Sequence, residues 1–201
     1  MSDGQIELLV LDVHGVVLSD YFPTFLDELA MRSGQLVEQV RRRWREELRS
    51  AAWRGEIGDT ELWRRLSDGA DKYPWQLLLE SGYRLGPAAQ EMKRWSAGAP
   101  AWLLSNHRTH WLLPRLLRFG IDDHWERVLV SDALGAVKPE ARAFGPILER
   151  VSEPSAVLFV DDHACNVEAA QRLGFQVVHA SGEADWIAQI DARLRATDAA
   201  V

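Results

Sequence analysis

Cysteine is almost absent. Cys165 stands alone, so no internal disulfide can form and nothing asks for an oxidising compartment. Long hydrophobic runs are lacking as well. No apolar stretch approaches the roughly 18–20 residues that cross a bilayer. The N-terminus shows no basic run followed by an apolar core and a small-residue cleavage site. A cytoplasmic chain that engages no membrane is the expectation. Positive charge is also in short supply: 23 basic against 30 acidic residues leave a formal charge of −7, the opposite of a nucleic-acid binder's basic footprint. Repeats and low-complexity tracts are missing, although 196–201 reads as a loose tail. What remains is 201 residues, 47% hydrophobic and 26% charged, enough for a globular core with an inserted module. Monomer and homodimer both stay open.

Five short runs rich in Val, Ile and Leu stand out at 6–11, 101–104, 127–130, 156–160 and 176–179. The first and fourth are continuous rather than alternating, as in strands covered on both faces. Segments with apolar spacing near 3.6 separate most of them, at 86–95, 108–119, 139–151, 166–173 and 183–195. Gly120 and Gly174 act as helix stops. Strand and helix in alternation predict an α/β fold: a doubly wound, mostly parallel, Rossmann-like sheet. The stretch 19–85 has no convincing strand, so it is expected to be an all-helical insertion. The domains are then 1–18 with 86–201 as the core, and 19–85 as a helical cap. Its Trp44, Trp53, Trp63 and Trp75 are expected to pack, with one or two at a pocket mouth. Arg41, Arg42, Arg43 and Arg45 suggest a solvated face paired with Glu46 and Glu47.

In an open parallel sheet, ligands bind beyond the carboxyl ends of the strands. Asp12 follows the first run, Ser105 and Asn106 the second, Lys138 lies after the third, and Asp161 and Asp162 follow the fourth. This set suits phosphoryl transfer. A carboxylate attacks an anionic phosphate ester only where the repulsion is screened. Mg²⁺ held by Asp12 and one of the acidic pair would screen it. Lys138 would add positive charge, and Ser105 would donate to a phosphoryl oxygen. Each residue also has an ordinary reading, as a turn residue, a helix cap or a helix-start lysine.

The segments Leu9-Val10-Leu11-Asp12-Val13-His14-Gly15-Val16-Val17, Leu103-Leu104-Ser105-Asn106, Val137-Lys138-Pro139-Glu140 and Val157-Leu158-Phe159-Val160-Asp161-Asp162 resemble the four motifs of the haloacid dehalogenase-like (HAD) superfamily. They occur in the family's order and span nearly the whole chain. The finer resemblance is to members with a helical cap after the first motif, among them sugar-phosphate phosphatases and the phosphatase domain of soluble epoxide hydrolase. The resemblance implies Mg²⁺-dependent hydrolysis of a small phosphorylated metabolite through an aspartyl-phosphate on Asp12. Ser105 and Asn106 would serve the phosphate, Lys138 the phosphate and nucleophile, and Asp12, Asp161, Asp162 and the His14 carbonyl the metal.

One departure matters. The family usually carries a second Asp two residues after the nucleophile as acid–base, and this chain has His14 there. Three readings stay open: His14 is the acid–base, titrating between about 5 and 8; the leaving group needs no acid; or turnover is lost and a phosphate-ligand binder remains. Dehalogenation also dispenses with the second Asp but needs no metal, and Lys138 with Asp161 and Asp162 argues against it. His107 and His163 flank motifs and read as structural, and Cys165 reads as buried packing.

Overall fold

The computed structural model describes residues 5–70, 72–182 and 185–198. Among these residues, five strands form one sheet: β1 Leu8–Leu11, β2 Ala101–Ser105, β3 Arg127–Val130, β4 Val157–Asp161 and β5 Gln176–His179. Every pairing is parallel and the spatial order is β3-β2-β1-β4-β5. All residues of β1, β2 and β4 are buried, because helices cover both faces.

Side chains alternate between the two faces. Leu9 and Leu11 join Leu103 and Val160 in a core shared with Met92, Trp95, Leu112, Leu116 and Ile190. These come from α6 Met92–Gly98, α7 Thr109–Arg118 and α11 Trp186–Asp198. Leu8 and Val10 face the other way, onto Ala143, Phe144, Ile147, Ala169 and Ala170. The short α8 Ser131–Leu134 follows β3, and α9 Gly145–Leu148 and α10 Ala164–Arg172 build that second layer.

Two expected helices are broken. Residues 86–95 form a 3₁₀ turn at Pro87–Gln90 before α6, and 139–151 a 3₁₀ turn at Ala141–Phe144 before α9. Pro87 and Pro146 each sit in the first turn of the element they open, where the missing N–H costs nothing. The last predicted helix starts at Trp186 rather than 183, a residue outside those described, and continues to Asp198 into the stretch expected to be a loose tail.

Between β1 and β2 the chain is helical: α1 Phe22–Ser33, α2 Val37–Arg43, a π-helical turn Trp44–Leu48, α3 Arg49–Trp53, α4 Asp59–Leu66 and α5 Trp75–Gly82. α1 opens with Pro23 in its first turn and stops at Gly34, whose left-handed backbone sends its N–H to Ala30 and Met31 carbonyls. These helices bury their own core of Phe25, Leu29, Val40, Leu48, Leu62, Leu66, Trp75 and Leu79, which also takes in Trp111 of α7. The segment leaves and rejoins the sheet side by side: Ser19 N–H donates to the Arg84 carbonyl at 2.9 Å, and Gly86 N–H to that of Val17 at 2.7 Å. Arg41 pairs with Asp27, and Arg45 with Glu38 and Glu46, while Glu47 pairs with Arg65. Among the described residues, no helix is long and apolar enough to cross a membrane.

Candidate active site

The sheet reverses its winding between β1 and β4, so the crevice beyond their carboxyl ends is the position where such a fold binds ligands. Leu11 pairs with Val160, which sets Asp12 beside Asp161 and Asp162. Ser105 ends the neighbouring β2. Lys138 arrives from the loop after α8. Its backbone N–H donates to Asn106 Oδ1 at 2.8 Å, and its carbonyl accepts from Asn106 Nδ2 at 2.9 Å. Asn106 therefore clamps the lysine in place. It does not cap α7; Asp132 does that, accepting from the Thr109 N–H at 2.9 Å.

Lys138 is buried and its Nζ lies 2.9 Å from Asp12 Oδ1 and 2.6 Å from Asp161 Oδ2. Asp161 is fully enclosed, also accepting from Asn166 Nδ2 at 2.9 and 3.0 Å and from the His163 N–H at 2.8 Å. Asp162 is less committed: its Oδ1 meets His163 Nδ1 at 2.6 Å. Its Oδ2 lies against Gly15, where any Cβ would overlap it. Gly15 also holds φ +84, so glycine is required there twice over.

Ligand atoms of Asp12, Asp161, Asp162 and His163 fall within 4.8 Å of one another. Burial, opposed by Lys138 and reinforced by Asp161 and Asp162, pushes the Asp12 carboxyl up to about 7. Burial would lower the Lys138 ammonium, but Asp12 and Asp161 outweigh it and hold the amine above its ordinary value. The His163 imidazole is raised by its hydrogen bond to Asp162. Three carboxyl groups gathered at one point, two of them on Lys138, form a donor set that fits a hard divalent ion.

A cavity of about 180 Å³ opens onto these groups. Asp12, Ser105, Asn106, Lys138 and Asn166 line one side of it, and Phe22, Trp44, Arg49, Trp53 and Tyr83 of the helical segment line the other. Ser105 Oγ is buried there with no hydrogen-bond partner among the described residues. A buried hydroxyl left unsatisfied at a polar cavity is a donor awaiting an oxygen.

His14 is held from behind. Arg115 Nη1 approaches its Nε2 at 2.7 Å. A guanidinium can only donate, so Nε2 is the acceptor and the ring proton sits on Nδ1. The ring stacks on His107 at 4.7 Å and packs against Tyr83 at 5.1 Å. Arg115 is itself buried and bound by Glu80 at 2.9 and 2.5 Å. Burial first, then Arg115 and Lys138, depress the imidazole well below its ordinary value. The shift disfavours the charged form of the ring.

Residues not singled out by the sequence are Asn166, Arg115 and Glu80. Asn166 was legible in principle, as it follows Asp161 by five positions and returns over it from the first turn of α10. His163 joins the acidic cluster, and His107 is buried against His14. Cys165, expected to pack inside, is exposed on the outer face of α10.

A family model for haloacid dehalogenase-like hydrolases matches residues 6–174, and the chain belongs to that family. A phosphoglycolate phosphatase of Nitrosococcus oceani is 24% identical over 195 residues, covering 87% of this chain and 83% of that protein. The structure of a predicted HAD-like family hydrolase from Porphyromonas gingivalis superposes with a TM-score of 0.75 at 23% identity, covering 96% of this chain and 99% of that one. A HAD family enzyme of Bacteroides thetaiotaomicron, solved in complex with magnesium and inorganic phosphate, gives 0.71 at 18% identity over 92% and 98%. Both structural likenesses carry the fold.

Proposed function

We propose that this hydrolase is a Mg²⁺-dependent phosphatase of small phosphorylated metabolites, with Asp12 as covalent nucleophile. The observation that carries this reading is Lys138 held between Asp12 and Asp161, with Asp162 in the same acidic cluster, beside the unpartnered Ser105 hydroxyl. Asp12, Asp162 and the His14 carbonyl would hold the metal. Asp161, already saturated by Lys138, Asn166 and the His163 amide, would stand behind them. Bound there, Mg²⁺ would supply positive charge that screens the repulsion between carboxylate and phosphate and would favour the ionised form of Asp12.

The chain's own groups do the rest. The Asp12 carboxylate attacks phosphorus, the bond to the leaving oxygen breaks, and an aspartyl-phosphate forms. Lys138 and Ser105 hold the phosphoryl oxygens. Water then attacks the same phosphorus, releasing inorganic phosphate and restoring the carboxylate. His14 keeps its neutral form and offers at most Nδ1–H, a weak acid. The leaving oxygen must therefore be stable as an anion, as in aryl, enol or acyl phosphates, or take its proton from water. Residues 19–85 act as the cap, presenting Trp44, Trp53 and Arg49 to the leaving group. The small cavity admits a phosphate on a short body and excludes polymers.

Phosphate release from p-nitrophenyl phosphate and phosphoglycolate, with Mg²⁺ and with EDTA, tests the reading. Metal-dependent release that disappears in Asp12→Asn is expected. Release that persists in that variant would refute Asp12 as nucleophile. The grip of Arg115 on His14 favours a second reading, a binder without turnover. Vanadate binding with no release from either ester, and release regained in His14→Asp, would establish it.

A further inference from the structure

Among the described residues, the helical segment is tied to the core at three places besides its stem. At the start of α4, Asp59 accepts from Arg108 Nη1 at 2.6 Å and from the Trp111 indole N–H at 2.8 Å, and lies 2.8 Å from His110 Nε2. Arg108 Nη2 also donates to the Ile57 carbonyl at 2.7 Å. On α5, Glu80 binds Arg115 of α7. After α3, Arg54 pairs with Glu140, and the Trp53 carbonyl accepts from the Ser131 hydroxyl of α8.

Ion pairs alone would hold little, because opening would return both charges to water. The rings decide the balance. Trp111, 3% exposed, lies within the core of the helical segment and stacks on Trp63 at 5.1 Å, nearly parallel at 8°. Trp53 stacks on His107 at 5.0 Å, and the Arg115 guanidinium sits 3.7 Å over the Tyr83 ring. Swinging the segment away would expose these faces, and aromatic side chains carry the largest apolar burial. The ion pairs then fix where the rings dock. The side chains of Arg108 and Arg115 are only 4% and 0% exposed, so neither has water to replace a lost carboxylate.

A hinge at the stem, where Ser19 meets Arg84 and Val17 meets Gly86, would have to break all three places together. The cavity beside Asp12 needs no such motion to be reached. Of the residues lining it, Asp12, Ser105 and Lys138 are buried, whereas Asp20, Arg49 and His163 are exposed. Those three mark a mouth that is open while the segment is docked.

We propose that the helical segment is a fixed wall of the active site rather than a moving lid, held by α7 and α8, and that whatever reaches Asp12 enters by the mouth between Asp20, Arg49 and His163. Docking stands on these contacts whatever chemistry Asp12 performs; only the identity of the entrant rests on the phosphatase reading.

The test uses the full chain with Cys165→Ser and spin labels at Gln39→Cys on α2 and Gln171→Cys on α10, both exposed positions. Double electron–electron resonance should show one distance maximum, moving by no more than about 2 Å when Mg²⁺ and vanadate are added. A second maximum, or a larger shift, would overturn the proposal. In the unlabelled, ¹⁵N-enriched protein, the Trp111 indole N–H, assigned from Trp111→Phe, reports the joint directly because its acceptor is Asp59. It should exchange with solvent only as fast as global unfolding, measured in urea, allows. Exchange more than about tenfold faster would show the segment opening by itself and would equally overturn the proposal. Asp59→Ala combined with Glu80→Ala leaves Arg108 and Arg115 buried without partners, a strain that opening relieves. The spin-labelled double variant should therefore gain a second distance maximum, and a single unmoved one would show that these contacts are not the anchors. The wild-type measurements decide the matter even where the double variant does not fold.

Discussion

Replacing Asp12 by Asn should remove activity and, in metal-free solution above neutral pH, stabilise the fold. The Asp12 carboxyl titrates near 3.8 in an unfolded chain and at about 7 when folded. Below 3.8 it is protonated in both states and resembles Asn. As pH rises from about 4 to 7, the unfolded chain ionises while the folded one keeps its proton, so wild-type stability falls. Above 7 the full penalty stands. The interval of about three pH units, at about 1.4 kcal/mol each, sets it at up to about 4 kcal/mol. Asn escapes this cost. Urea unfolding in EDTA should therefore show little difference between the proteins near pH 4 and an advantage to Asp12→Asn at pH 8. Mg²⁺ should narrow that advantage, since a ligand at a hundred times its Kd adds about 2.7 kcal/mol to the state that binds it. A variant no more stable than wild type at pH 8, or a gap independent of pH, would refute the electrostatic account of the site.

Gly15→Ala and Gly34→Ala both place a side chain at positive φ, but only Gly15 also presses on Asp162. Gly34→Ala should cost about 1–2 kcal/mol, and Gly15→Ala more, together with a loss of Mg²⁺ affinity in calorimetric titration; equal losses and unchanged affinity would argue against the close approach. Arg115→Met strands the Glu80 carboxylate in a largely buried position and should cost about 3–5 kcal/mol, whereas Arg41→Ala, breaking an exposed pair with Asp27, should cost less than about 1 kcal/mol; similar denaturation midpoints for the two would contradict this. A positioned acid is worth roughly 10²–10⁴ in rate, so p-nitrophenyl phosphate should outrun phosphoglycolate by about that margin, and His14→Asp should close part of the gap. Wild-type protein turning over both esters alike would show that His14 or another group delivers the proton after all.

The sheet was legible because buried parallel strands are nearly pure Val, Ile and Leu, and all five runs match strands to within about two residues. The positions of Asp12, Ser105, Lys138, Asp161 and Asp162 followed from a rule about strand ends, and the fold brings them together. What surrounds His14 was not legible. Arg115 lies 101 positions away and Glu80 another 35 from it, and nothing local marks an arginine in an amphipathic helix as turned inward. Ser131–Leu134 was too short to show a period.

The paired entry and exit of the helical segment has a consequence for how the protein can change. Ser19 and Arg84, and Val17 and Gly86, are joined backbone to backbone, so the sheet meets a closed stem whatever length of chain hangs beyond it. Lengthening such a loop costs little, roughly 0.6 kcal/mol per doubling. The segment is thus an exchangeable part: it can be resized, recombined or replaced during divergence while Asp12, Asp161 and Asp162 keep their spacing. By contrast, inserting or deleting one residue in β1 would turn its outward and inward faces over and carry Asp12 away from Lys138. Novelty in this chain has an obvious place to accumulate, and the cluster at the strand ends has none.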